Sequence, residues 1–342
     1  MKSQLNISFN LVISVIIGLV VFTVVFRLGS SFFSMSNEAA SLRLYSHFDI
    51  LVRNLHLQAD YTKKVPLTKS YNFFYDADSI FIRGLPQTIN VRDSILVMPR
   101  EFKSDSLVFF SRRSSFPLSQ VDFVYVIPER RKFFIFKDRS DTNNYDIGDE
   151  LFKFLPLRQA YNPVLGENEI ILDKFFTDEI GLISSSCKTL YPCYVLFINK
   201  DPPGDLSGAN AHIFKLEGSA GHGKLVLNSS GEEFYYFSRE SLLAAVMLAD
   251  KELYNKTLSK IGRLTTFNMG LKQDYFTNLG NINSGNSRCV SVLNNLIGLS
   301  HQINQAFSLF NQDPASNLDL LVDLQNSFEA NLTGLDIHGC RK

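Results

Sequence analysis

Residues 121–137 read VDFVYVIPERRKFFIFK. Two apolar runs, Val121–Ile127 and Phe133–Lys137, flank Pro128-Glu129-Arg130-Arg131. β-Branched and aromatic residues fit a pleated, half-buried surface, and proline among charges marks a turn. The same pattern extends both ways. Upstream lie Tyr71–Tyr75, Ser79–Ile82, Ser94–Met98 and Ser106–Phe110, punctuated by Gly84-Leu85-Pro86, Pro99-Arg100 and Pro117. Downstream come a polar loop at 138–150 and a short helix predicted at Glu169–Glu179. Strands resume at Tyr194–Asn199, His212–Glu217, Lys224–Leu227 and Glu233–Phe237, the last two joined by Asn228-Ser229-Ser230-Gly231. Short strands separated by turn signals predict an antiparallel sheet, so 67–237 is expected to be a β-rich domain.

From 238 to 342 the apolar period becomes helical. Ser238 is a good N-cap, but Ser241 occupies the third position, where a capping box has Glu or Gln, so the box reads as incomplete; Glu240 still favours a helix N-terminus. Leu242, Val246, Ala249, Leu253, Leu258, Ile261 and Leu264 recur at helical spacing, which predicts one long amphipathic run from Arg239 to about Leu279, with Gly262 or Gly270 as the candidate bend. Further helices are predicted at Ser287–Phe310 and Pro314–Leu332, with Pro314 suited to the first turn. The expected fold class is therefore α+β, with an antiparallel β-rich centre and a C-terminal helical subdomain.

The other end is apolar. Phe9–Phe26 reads FNLVISVIIGLVVFTVVF, and Arg27 is the only charge from Leu5 to Leu28. About 20 apolar residues cross a bilayer core as a helix. A cleaved secretory signal would have an apolar region of about 7–15 residues and a small-residue cleavage site. Here Arg27, Leu28, Phe32 and Phe33 follow the run instead. Residues 1–30 are read as a transmembrane anchor whose partner is the lipid bilayer. Ala40, Leu44, Phe48, Leu51 and Leu55 then fall on one helix face, so 31–66 is read as an amphipathic stalk helix ended by Pro66. Flanking charge is nearly balanced and does not decide orientation by itself. The cysteines and the Phe-rich β segments favour an extracytoplasmic body on a single-pass membrane protein.

Lys2-Ser3-Gln4 directly before this span resembles the class III leader of archaeal type IV pilin-like proteins. In that family a basic and a small residue precede the cut and Gln opens the mature chain, so the resemblance implies cleavage between Ser3 and Gln4. Ser3 stands where Gly or Ala is usual, and Ser8 where Glu is. The whole chain is similar to poorly characterised single-span archaeal membrane proteins with this kind of N-terminus.

The 342 residues carry 34 Lys plus Arg and 34 Asp plus Glu. A zero formal charge argues against a nucleic-acid partner, which needs a cationic face. Four cysteines leave room for two disulfides. A Cys187–Cys193 bridge would clip a local loop. Cys289 opens one predicted helix and Cys340 lies beyond the next; in antiparallel helices of similar length the two positions need not coincide, whereas a third helix packing crosswise or a tail folding back would bring them together. A metal site with His212, His222 or His338 is disfavoured, because no cysteine pair has the short spacing that structural zinc prefers. Gly218–Lys224 matches the spacing of a phosphate-binding loop, but Leu225 replaces the Ser or Thr that holds magnesium and a strand follows, so it reads as a Gly-rich connection between strands. Asp138, Asp141, Asn143, Asp146, Asp149 and Glu150 crowd one loop without calcium-loop register. Arg130-Arg131-Lys132 reads as a turn, with lipid headgroups as the functional option. Asn228, Asn255 and Asn331 open glycosylation sequons, of which several arise by chance in such a composition. No motif names a cofactor, a metal ligand or a catalytic residue.

These readings predict a single-pass membrane-anchored structural or interaction subunit of a cell-envelope assembly, pilus-related in kind, with protein partners or self-assembly in the envelope. The alternative is a membrane-tethered hydrolase whose site is assembled from distant loops.

Overall fold

The computed structural model describes residues 61–85, 88–91, 95–113, 122–129, 131, 133–136, 169–172, 187, 193–199, 201–202, 206, 210–219, 221–338 and 340, and helical positions at 23, 45–46, 48–52 and 54. The chain divides into a small unit, 1–53 with 84–87, and a large one, 54–83 with 88–342. In the small unit Phe48, Leu51 and Val52 are buried and Ile50 is exposed, the one-sided pattern of an amphipathic helix. Most of the span 9–26 lies outside the described residues. Among those described, no helix is long and apolar enough to cross a membrane.

The large unit holds two six-stranded sheets and four helices. The first sheet contains β1 (Thr62–Tyr75), β2 (Ser79–Ile82), β3 (Thr88–Asn90), β4 (Ile95–Val97), β5 (Glu101–Arg113) and β6 (Asp122–Pro128), in the order β3-β2-β1-β5-β6-β4. The second contains β7 (Phe133–Phe136), β8 (Glu169–Leu172), β9 (Cys193–Ile198), β10 (Ala211–Gly218), β11 (Gly223–Leu227) and β12 (Glu232–Tyr236), in the order β12-β11-β10-β9-β7-β8. The stretch 121–137 is thus the crossing point between sheets. β6 lies inside the first sheet and β7 inside the second, and Arg131 N–H donates to the Pro128 carbonyl (3.1 Å) in the turn between them.

Three expectations are corrected. The sheets are not antiparallel throughout: β8, β7, β9 and β10 form a parallel block, and β4 pairs parallel with β6. Parallel neighbours need long crossovers, which the connections 137–168, 173–192 and 199–210 supply. They are also buried on both faces, which is why FFIF and CYVLFI read as continuous apolar runs. Residues Glu169–Leu172, read as the start of a helix, are strand β8. Thr62–Pro66, placed at the end of the stalk helix, begins β1 and pairs with β5 from Thr62 opposite Phe110 to Pro66 opposite Ser106. A register shift follows between Pro66 and Tyr71, where a proline without an N–H disrupts the ladder.

The helices are α1 (Arg239–Leu248), α2 (Lys251–Ile282), α3 (Ser287–Gln312) and α4 (Pro314–Ile337). The predicted long run is broken between α1 and α2, ahead of Gly262 and Gly270. Ala249 adopts a left-handed conformation (φ 47°), and Asp250 caps α2 by accepting from Leu253 N–H (2.9 Å). The capping box of α1 is complete with serine in both places: Ser238 Oγ accepts from Ser241 N–H, and Ser241 Oγ accepts from Ser238 N–H. A short Ser side chain does here what Glu or Gln usually does.

Every residue of α1 except Arg239 is buried, the signature of a helix enclosed on all sides. Tyrosines from both sheets hold it. Tyr125 of β6 donates to the Glu240 carbonyl (2.9 Å), and Tyr194 of β9 donates to the Met247 carbonyl (2.7 Å). The buried Lys260 ammonium ties α2 to the first sheet by donating to the Ala77 carbonyl (3.0 Å) and the Val91 carbonyl. The three long helices share a core containing Met269, Phe276, Leu293, Ile303 and Phe328.

Candidate functional site

Both disulfides join the expected cysteines. Cys187–Cys193 lies in the core of the second sheet against Phe134, Phe136, Val195 and Phe197. Cys289–Cys340 joins the start of α3 to the residues after α4. Neither a crosswise third helix nor a folded-back tail is needed to bring Cys289 and Cys340 together. α4 returns along α3, so its end arrives where α3 began: Val292 lies beside Gly334, and Asn286 Nδ2 donates to the His338 carbonyl (3.3 Å). Ser3 and Gln4 lie outside the described residues, as do 138–150, Arg130 and Lys132.

Gly218–Lys224 is the β10–β11 hairpin, with Gly218 opposite Gly223. Both glycines have positive φ, and a Cβ on Gly223 would stand 2.5 Å from the Glu217 carbonyl and 2.6 Å from the Tyr236 hydroxyl. They serve a close backbone approach, not a phosphate. The hairpin brings Ser219 Oγ to 3.4 Å from His222 Nδ1. A nucleophile–base reading fails, because Ser219 Oγ accepts from the Gly221 and His222 amides and can donate to the His222 carbonyl. It is a local turn bracket. Among the described residues, no three His, Cys, Asp or Glu side chains gather as a metal site.

Arg131 lies in the expected turn, but its side chain does not face lipid headgroups: it is buried, with its guanidinium over the Tyr194 ring (4.8 Å) and donating to the Tyr194 hydroxyl. His212 stacks on the same ring at 5.6 Å. Burial first, and then the Arg131 charge, push the imidazole down to about 4, so it is neutral at physiological pH. Burial likewise raises the Tyr194 phenol, although Arg131 opposes that shift. The stack fastens the starts of β9 and β10 to the turn before β7, which makes Arg131 a structural residue. The signal for it was the Arg130-Arg131 pair between a proline turn and an apolar strand, which composition alone could not place.

Two surface features remain. A cleft of about 400 Å³ lies between β12, the start of α2 and the α3–α4 turn, lined by Tyr235, Lys251, Asn255, Asn311 and Asp313 among others. Its carboxylates are engaged: Glu233 with Lys224 (2.9 Å) and the Tyr235 hydroxyl (2.7 Å), Asp313 with the Ser316 amide (3.3 Å).

The second feature is on α2. Phe267, Leu271, Tyr275 and Ile282 are exposed by 65, 54, 48 and 67 %. At about 100° per residue they fall within an arc of about 80°. Met269, Phe276 and Leu279 of the same helix face the helical core. The helix therefore has two apolar stripes. Spacing at i, i+4 and i+8 from Phe267 was the available signal, lost because the inward stripe dominates the pattern. No family model, no curated protein and no solved structure matches the chain. The class that can be stated is a mixed α+β body of two sheets followed by a helical subdomain.

Proposed function

We propose that the chain is a single-pass, membrane-anchored structural subunit of a cell-envelope assembly, whose extracytoplasmic body associates with a second copy through the outer stripe of α2. The observation that carries this reading is the exposed row Phe267, Leu271, Tyr275 and Ile282. Contiguous exposed apolar patches mark interaction sites, whereas isolated ones need no explanation. Phe267, Leu271 and Tyr275 of that row complement themselves, whereas Ile282 lies beyond the pairing. In an antiparallel pair of α2 helices crossing at Leu271, Leu271 meets its own copy and Phe267 meets Tyr275 twice, as a two-fold interface requires. Asp274 then falls opposite Asn268, so that pairing opposes no like charges there.

Two disulfides support an oxidising surrounding for the body. The apolar run at 9–26 supports an anchor, and the likeness of Lys2-Ser3-Gln4 to a pilin-like leader supports assembly within the membrane as the mechanism. A photo-crosslinking residue in place of Leu271 in the full-length protein tests the reading. The expected product is a covalent dimer joined α2 to α2, with none from the same probe at exposed Asp319 of α4. Equal dimer from both positions, or none from either, overturns it.

A further inference from the structure

The three sequons on the described residues look alike in sequence but occupy different backbones. Asn255 lies in the second turn of α2 and lines the polar cleft. Asn331 lies inside α4, where its Nδ2 already donates to the Ser327 carbonyl (2.8 Å). Asn228-Ser229-Ser230 instead forms the loop between β11 and β12, and all three residues are exposed. The loop is closed by Gly231 N–H donating to the Leu227 carbonyl (2.8 Å), with Gly231 in the left-handed region (φ 70°). Ser230 Oγ adds bonds to Glu232, accepting from its amide (3.3 Å) and donating to its carboxylate (3.2 Å), so the loop is held by Gly231, main-chain bonds and Ser230, and not by the Asn228 carboxamide. An added group at that carboxamide meets solvent and displaces no side-chain contact.

We infer that Asn228 is an N-glycosylation site and that Asn255 and Asn331 are not. A surface loop carrying Asn-x-Ser in a secreted body is the acceptor that such chemistry needs. The donor is a saccharide linked through phosphate to a membrane lipid, and a membrane oligosaccharide transferase performs the step. Asn228 Nδ2 attacks the anomeric carbon and forms the C–N bond. The bond from that carbon to the phosphate oxygen breaks, its electron pair leaves with the lipid phosphate, and Nδ2 loses one proton to a base of the transferase. No electrons are exchanged with an oxidant or reductant. Helical sequons are poor acceptors in the folded chain, because their backbones are held by the i to i−4 hydrogen bonds of the helix.

The inference rests on the extracytoplasmic reading of the body, and one experiment separates the two. Native full-length protein is alkylated without reductant, digested and mapped by mass spectrometry, beside Asn228→Gln and Ser230→Ala variants made in the same cells. The expected result is a saccharide mass on the 228 peptide alone, lost in both variants, with the four cysteines protected from alkylation. An unmodified Asn228 in protein whose cysteines are all protected overturns the inference and leaves the extracytoplasmic body standing. An unmodified Asn228 with four alkylated cysteines overturns both. Saccharide on Asn255 or Asn331 in place of Asn228 overturns the inference as well. Asn228→Gln keeps the loop's main-chain bonds, so its melting temperature serves as the control for folding.

Discussion

Across the two sheets, large apolar side chains turn inward: Phe73, Phe109, Phe134 and Phe197 are each 0 % exposed, and among the strand residues whose burial is described only Phe81 stands out, at 44 %. The three long helices differ. Phe267, Leu271, Tyr275, Ile282, Leu309, Leu320 and Ile337 are all exposed by 45 % or more, although Met269, Phe276 and Phe328 show that the same helices can form a closed core. Soluble surfaces tolerate single exposed apolar residues, but four in one arc of one helix are a face. Among the described residues, the β centre is closed around its apolar side chains, whereas the helical end keeps an exposed apolar face on α2.

The largest effects should separate these regions. Phe197 stacks on Phe136 with ring centroids 4.5 Å apart and has no exposure. Phe197→Ala should cost about 3–5 kcal/mol in urea denaturation, whereas Phe267→Ala on the open face should cost less than about 0.5 kcal/mol. Similar losses for both would break the comparison, since Phe267 would then be part of a core.

The disulfides sharpen it. Cys289–Cys340 closes a sequence separation of 51 residues and Cys187–Cys193 one of 6. On the chain-entropy account, removing the first by paired Ser substitution should cost about 4 kcal/mol, and removing the second about 2 kcal/mol. Denaturation of the two double variants checks the order. A reversed order would mean that the native helical end depends little on its clasp.

A smaller effect belongs to the β centre alone. His212 titrates near 6.5 when unfolded and about 4 when folded. The unfolded state binds the extra proton between those values, so this contribution is fully present above about pH 6.5 and is lost as pH falls to about 4. At 1.36 kcal/mol per unit it amounts to about 3 kcal/mol at most. His212→Phe retains an aromatic ring against Tyr194 and should flatten the stability profile between pH 6.5 and 4. An unchanged slope would remove His212 as the source.

Much of this division could be read from the chain. Proline and glycine punctuation around Phe-rich runs located β2 at Ser79–Ile82 and nearly all of β6, β7 and β9 through β12, because turn chemistry is local. Strand direction was not readable. CYVLFI looks the same in a parallel or an antiparallel neighbourhood, and only the long crossovers distinguish them. The α1–α2 break escaped because Ala249 takes a conformation usually left to Gly or Asn. The disulfide between Cys289 and Cys340 depended on α4 returning along α3, a tertiary fact. The outer stripe of α2 was present in the spacing, but apolar period alone does not say which of two stripes is left uncovered.

The most direct test of the central claim is the mass of the full-length protein in detergent, measured by sedimentation equilibrium over a range of concentrations and compared with Leu271→Asp. The account predicts a concentration-dependent dimer that the aspartate shifts to monomer, because two carboxylates would then face each other across the two-fold axis, while far-UV circular dichroism stays unchanged. A protein that is monomeric throughout, or a dimer that persists undiminished in Leu271→Asp, would contradict it.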